Sequence, residues 1–185
     1  MSIYEKQENL VNIPLYLINA EFYDNYGAKF LNVSGERIDI EGNVVEESGL
    51  DSDGSTTTNY SLSSVVTITI DGKQMESCGN TIIFAESGLK SDVDFSLSDI
   101  DSSANGITSL TSVARVVNKY KNYFGKSEVV VIQSQLGVPI CAYSGEEVYW
   151  EIPDDLPKMT KLMIDGKALY IHRANFEIID KDLIK

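Results

Sequence analysis

The side chains best suited to chemistry in this sequence are carboxylates and a single histidine. Asp92 and Asp94 stand at alternate positions, as do Asp99 and Asp101, and alternate residues of a β-strand point to the same face. A row of carboxylates of this kind is most often the solvated edge of a sheet. It also suits a hard cation, or it imitates phosphates toward a basic partner.

Asp51 and Asp53 lie in a segment that superficially resembles a calcium-binding loop. An EF-hand needs glycine at its sixth position and glutamate at its twelfth, whereas here Gly54 is fourth and Leu62 is twelfth. An improvised cation site that joins this pair to the first two aspartates of the row is a minor alternative. We expect no metal and no cofactor, and we assign these aspartates to partner binding.

His172 is the only histidine, which excludes a two-histidine nuclease and a histidine-rich metal site. On a strand it shares a face with Tyr170, and together with Glu177 it would form an acid-base site for cleaving RNA or another phosphodiester. The aromatic residues expected around such a pocket are Tyr143, Tyr149 and Trp150. A histidine packed beside an aromatic core is the commoner arrangement. The sequence contains no nucleophile elbow, phosphate loop or dinucleotide fingerprint.

The chain is acidic, with 28 Asp and Glu, 15 Lys and Arg and a formal charge of -13. Residues 1–106 hold 18 acidic and five basic residues, whereas residues 107–185 hold ten of each. A field of one sign repels nucleic acid and anionic membranes and attracts basic partners, although acidity also simply keeps a protein in solution. The first residues do not read as a signal peptide, and no run of 18 apolar residues occurs. We therefore expect a cytoplasmic protein with no membrane contact.

Residues 108–125 have the only long helical periodicity. Apolar residues recur there at steps of three and four, namely Leu110, Val113, Val117, Tyr120 and Phe124. Thr108 or Ser109 is suited to capping the start, and Gly125 to closing the end in a left-handed conformation. Arg115 and Lys119 share the polar face of this helix. Such a face is usually solvated. Alternatively, it docks against the acidic half of the chain or contacts an RNA backbone.

The rest of the chain predicts strands and turns. We expect hairpins at residues 65–75 and 162–171, each around an Asp-Gly pair, and a central strand at residues 128–132. Glycines at 35 and 42 are matched by glycines at 72 and 79, and a Glu-Ser-Gly-Leu segment follows each pair. This repetition predicts an internal duplication with turns at each glycine. Residues 49–64 and 89–106 are rich in small polar residues and are predicted to be surface loops, the second with a short edge strand.

The predicted fold class is therefore α+β, with an internally duplicated, mostly antiparallel sheet of hairpins and one main α-helix packed on a face. Residues 1–106 would form an acidic β-meander region, and residues 107–185 a region of helix and antiparallel sheet. The two regions are also compatible with one continuous domain.

The second half resembles a group of small proteins carried on mobile genetic elements of Gram-positive bacteria. The segments that carry the resemblance are residues 110–115, 147–150 and 166–176, and they are typical of hairpins that determine a fold. The sequence is also similar to anti-CRISPR inhibitors, which are small, acidic and cytoplasmic. The resemblance implies interference with a host nucleic-acid machine and assigns no site residue.

Three functions follow as hypotheses. The first is a non-enzymatic inhibitor whose acidic half occupies the basic nucleic-acid channel of a partner such as an RNA-guided nuclease, with RNA contact through Arg115 and Lys119 as an addition. The second is an RNA-cleaving enzyme centred on His172. The third is a structural or assembly protein that uses exposed sheet edges.

Overall fold

The computed structural model describes residues 13–95 and 118–184, with side chains from residue 18 onward. Twelve strands occur in these ranges. In chain order they are β1 (Ile13–Tyr23), β2 (Lys29–Leu50), β3 (Thr56–Ile70), β4 (Lys73–Cys78), β5 (Thr81–Glu86), β6 (Val93–Asp94), β7 (Glu128–Gln133), β8 (Pro139–Gly145), β9 (Val148–Glu151), β10 (Met159–Ile164), β11 (Lys167–His172) and β12 (Asn175–Asp180). The described helical residues are 118–123, which end in a 3-10 turn (Lys121–Tyr123), and a second 3-10 turn (Lys181–Leu183).

The strands form two antiparallel sheets. The larger has eight strands in the order β4-β3-β2-β1-β5-β11-β10-β9, and the smaller has four in the order β12-β7-β8-β6. β5 pairs with β11 and β6 pairs with β8, so strands from before residue 95 and after residue 128 are present in both sheets. The predicted central strand at 128–132 is confirmed as β7, which lies between β12 and β8.

The predicted α+β class is wrong, because the described chain is mostly antiparallel β. The main helix was expected over residues 108–125, of which 108–117 lie outside the described residues and 118–123 are helical. The helical turn ends at Phe124, whose backbone is extended (φ -78°, ψ 113°), and Gly125 does not take a positive φ. Phe124 is buried against Val129 and Val131 of β7. Packing of Phe124 onto the sheet therefore determines where this helical segment ends, because tertiary packing commonly overrides helix propensity.

Two apolar clusters lie on opposite faces of the larger sheet. On one face, Ile83, Leu162 and Leu169 pack against residues of β7 and β8 such as Val130, which stacks the two sheets. On the other face, the cluster contains Ile40, Ile68 and Phe84 of β2, β3 and β5, and it also includes Leu156 from the loop between β9 and β10. The larger sheet therefore curls, and this loop comes back over β2.

Both predicted Asp-Gly hairpins are confirmed. β3 pairs with β4 and β10 pairs with β11, each across a two-residue turn. Asp71 and Gly72 have φ of 47° and 80°, and Asp165 and Gly166 have φ of 49° and 78°. Positive φ at both central residues is what a tight hairpin of this twist requires.

The predicted internal duplication is wrong, because Gly35 and Gly42 lie inside the continuous strand β2 and not in turns. Gly72 and Gly79 do lie in turns, with φ of 80° and 90°. The first two glycines serve close packing: a Cβ at Gly35 would approach Ile70 Cγ2 to 2.6 Å, and one at Gly42 would approach the Asp155 carbonyl oxygen to 2.4 Å. Glycine is therefore needed for close packing at the first two positions and for a positive φ at the other two.

Candidate functional site

The most exposed part of the described chain is a two-stranded ribbon formed by residues 44–50 of β2 and 56–62 of β3. Among the described pairings, β1 accompanies β2 as far as Ile40, and β4 accompanies β3 from Val65. Within residues 13–95 and 118–184, the ribbon thus extends beyond both neighbouring strands. Residues 49–64 were predicted to be a loop, which is wrong: β-branched threonines extend β3, and the turn is confined to residues 51–55.

The ribbon is uniformly acidic. Its carboxylates are Glu46, Glu47, Asp51 and Asp53, and no Lys or Arg occurs between Arg37 and Lys73. Glu46 and Glu47 make no hydrogen bond or ion pair with the described residues. Both charges are therefore directed to solvent or to a partner.

The two predicted aspartates Asp51 and Asp53 form the tip of this acidic ribbon. The Ser55 hydroxyl and amide donate to Asp53 Oδ1 at 2.6 and 2.9 Å, and these hydrogen bonds hold the pKa of Asp53 below its ordinary value. The amide of Asp51 donates to the Ser55 carbonyl at 2.8 Å and closes the turn. The tip is therefore ordered by hydrogen bonds to its own acidic residues.

One face of the ribbon carries most of its exposed apolar side chains, together with Glu46. Across the ladder Val44 is opposite Leu62, and Glu46 is opposite Tyr60. Alternation along each strand then places Leu50 on this same face. Val44, Tyr60 and Leu50 are 46%, 49% and 80% exposed. Exposed apolar side chains beside carboxylates are typical of a surface that binds another protein.

A second acidic surface is an open groove of about 740 Å³ between β1, β2 and the segment that follows β5. Its carboxylates are those of Glu21, Glu36, Asp71, Glu86 and Asp94. Four of them, those of Glu21, Asp71, Glu86 and Asp94, accept hydrogen bonds within the protein. Asp71 accepts from the backbone amides of Glu36 and Arg37 at 3.2 and 2.9 Å, and Glu86 accepts from the Ala168 amide at 2.8 Å.

Glu21 in this groove is part of a local ion-pair network. Burial raises its pKa, but the Lys29 ammonium, 2.8 Å from its Oε1, and the Tyr23 hydroxyl outweigh burial, so the pKa is lowered overall. Burial, and the hydrogen bond that the Tyr23 hydroxyl donates to Glu21, raise the pKa of Tyr23. A carboxylate with a lowered pKa that is already paired with an ammonium group is a poor general base. Most of the groove carboxylates are therefore engaged in contacts that stabilise the fold, whereas Glu46 and Glu47 of the ribbon make no hydrogen bond with the described residues.

The predicted row of aspartates is described in part. Asp92 and Asp94 are exposed and flank the buried Val93, as expected for an edge strand, and β6 is the edge of the smaller sheet. Ser144 Oγ donates to Asp92 at 2.7 Å, and Ser91 Oγ donates to Asp94 at 2.5 Å. The predicted site residues Asp99, Asp101 and Arg115 lie outside the described residues. Lys119 is described, with its Nζ 5.1 Å from the centroid of the Tyr120 ring.

The structure does not unite Asp51 and Asp53 with Asp92 and Asp94. Asp94 lines the groove together with Asp71, which follows the end of β3 opposite the ribbon tip. At about 3.3 Å per residue, the 15 residues of β3 separate these ends by roughly 45 Å. Within residues 13–95 and 118–184, no group of three or more His, Cys, Asp or Glu is placed to hold a metal ion.

The three residues of the hypothetical RNA-cleaving site are likewise not brought together. His172 is fully buried, and Tyr170 is 4% exposed on the same face of the larger sheet. Glu177 is exposed on β12 of the smaller sheet, which packs on the opposite face of β11 through Leu169 and Ile171. The imidazole and the carboxylate therefore lie on different sides of a sheet.

The environment of His172 also opposes acid-base chemistry. Burial lowers its pKa to about 4, and the Arg173 and Lys158 cations act in the same direction, against a smaller opposing effect of the Asn80 and Pro157 backbone. Neither ring nitrogen has a hydrogen-bond partner of acceptable geometry among the described residues. The imidazole is therefore neutral near pH 7 and has no contact with solvent.

Sequence reasoning missed the ribbon, and with it Glu46 and Glu47. A run of three threonines followed by Asn59 and Tyr60 has the residue types of a strand, and the Asp53-Gly54 pair is a turn signal. Small polar residues are shared by loops and solvent-exposed strands, so composition alone did not distinguish them.

In the part of the chain that the structure describes, no helix is long and apolar enough to cross a membrane. The chain belongs to the family described as a domain of unknown function (DUF5052), which it matches over residues 3–184. No curated protein and no solved structure matches it.

Proposed function

We propose that this DUF5052 protein is a non-enzymatic acidic binding protein that acts in the cytoplasm. Its acidic ribbon would insert into the basic nucleic-acid channel of a partner, such as an RNA-guided nuclease, and prevent nucleic acid from binding. The observation that carries the proposal is the ribbon itself, which bears four carboxylates and no cation and extends beyond the neighbouring strands.

The dimensions of the ribbon support this role. Its seven paired residues per strand extend about 20 Å at the usual rise of a strand, and two antiparallel strands are narrow enough to enter a nucleic-acid groove or channel. Carboxylates that approach a basic channel compete with phosphates and accelerate association at low ionic strength. Binding should therefore weaken steeply as salt is added.

The test is competition for DNA on a purified, guide-loaded RNA-guided nuclease, read from the anisotropy of a fluorescent target duplex. The ribbon variant carries Glu46→Lys, Glu47→Lys, Asp51→Lys and Asp53→Lys. The control variant changes four exposed carboxylates elsewhere to lysine, at Glu76, Asp154, Glu177 and Asp182. Both variants change the net charge equally.

We expect the wild-type protein and the control variant to displace DNA and the ribbon variant to be at least tenfold weaker. Equal loss in both variants would show that only net charge matters. If the wild-type protein does not compete for DNA at low salt, the proposal is wrong for this class of partner.

A further inference from the structure

In the part of the chain that the structure describes, the outer edge of β3 in the ribbon lacks the usual protection of an edge strand. Residues 56–64 contain no proline and no charged residue, and their described ladder partner is β2 on the other side. β4 pairs with β3 from Val65 onward, and the chain then turns at Gly79 into β5. Natural sheets normally guard such an edge with lysine, proline or a covering segment.

We propose that this edge is a docking strand, on which an extended segment of a basic protein adds as a further antiparallel or parallel strand. The inference rests on the proposed function and names the manner in which the partner is held. Strand addition supplies affinity through backbone hydrogen bonds and specificity through alternating side chains.

The two faces of the ribbon define the chemistry of the incoming segment. One face carries Val44, Tyr60 and Leu62 beside Glu46, and it favours apolar side chains next to Tyr60 and Leu62 on the added strand. The other face carries Glu47, which pairs with Asn59, and it favours lysine or arginine. The segment that fits is therefore basic overall and presents apolar side chains toward Tyr60 and Leu62, as a strand of alternating apolar and basic residues does.

Charge selects a basic partner over a second copy of this chain. The whole protein has a formal charge of -13, and joining two ribbons would bring eight carboxylates together with no cation between them. Like charges on adjacent strands destabilise pairing. Self-association through this edge is thus disfavoured, and we expect no dimer to form through the ribbon.

The test uses a fluorescent ten-residue peptide of alternating valine and lysine as the probe. A control peptide has the same sequence with every backbone nitrogen methylated, so that the charge is kept and the hydrogen-bond donors are lost. Binding is measured by anisotropy, and amide hydrogen exchange is measured on the protein at residues 56–64.

We expect the first peptide to bind, to slow exchange at alternate amides of residues 56–64, and to bind at least tenfold more tightly than the methylated peptide. Equal binding of the two peptides would overturn strand addition while leaving the acidic-surface proposal intact. No binding of either, or a concentration-dependent dimer of the protein that protects the same amides, would also overturn it. The nuclease competition described above tests the proposed function separately.

Discussion

Gly42 of β2 lies directly under the backbone carbonyl of Asp155, so that a Cβ at this position would come within 2.4 Å of the oxygen and 3.0 Å of Pro157 Cδ. This contact brings the loop between β9 and β10 against a strand that is four places away from β10 in the sheet order. Leu156 of the same loop is buried in the cluster under the curled sheet. The absence of a side chain at Gly42 is therefore a condition for closing this core.

Replacement of Gly42 by alanine should destabilise the protein by about 1–3 kcal/mol, because the Asp155 backbone must move to admit the methyl group. Gly49→Ala is the matched control in the same strand, since its Cβ would meet only Thr57 Oγ1, at 3.6 Å. That change should be neutral or slightly stabilising. Urea unfolding of both variants measures the difference. Equal midpoints would show that the loop does not pack on β2 as described.

Phe124 should carry most of the stability contributed by the segment before β7. Its side chain is 1% exposed, whereas the adjacent Tyr123 is 68% exposed. We expect Phe124→Ala to cost about 3–5 kcal/mol through the cavity it leaves. Tyr123→Ala should cost less than about 1.5 kcal/mol, the scale of its edge contact with Tyr120. Denaturant midpoints that changed equally would mean that this segment is not anchored by Phe124.

His172 should make the protein less stable as the pH falls from 6.5 toward 4. Its pKa is lowered from 6.5 to about 4 in the folded state, so the unfolded chain binds the additional proton in this interval. The stabilising contribution is complete above pH 6.5 and is lost as the pH approaches 4, by ~3 kcal/mol. His172→Leu should remove this component, because leucine does not titrate.

The measurement for His172 is urea unfolding of the wild-type protein and the variant at intervals from pH 7 to pH 4. Carboxylates titrate in both proteins, so the informative quantity is the difference between their two curves. Parallel curves would show that the imidazole is not buried in its neutral form.

Much of the strand pattern was predictable from local sequence. The Asp71-Gly72 and Asp165-Gly166 hairpins and strand β7 follow from short-range rules, because positive φ and continuous β-branched runs have few alternative uses. Asp92 and Asp94 were correctly expected to alternate with apolar residues at a sheet edge. Their wide separation from Asp51 and Asp53 was not predictable in the same way, because distance across a sheet depends on strand order.

The sequence by itself determined where the charge lies, which residues favour β-structure and where the tight Asp-Gly turns occur, since these depend on residue type and nearest neighbours. Tertiary structure alone decided that Gly42 serves a close contact, that Phe124 leaves the helical turn for the core, and that His172 and Glu177 lie on different sheets. The tertiary structure also decided that residues 44–62 form a ribbon that extends beyond the described parts of β1 and β4. Each of these outcomes depends on which distant strands pair, and pairing is fixed by the packing of the whole sheet and not by any local segment.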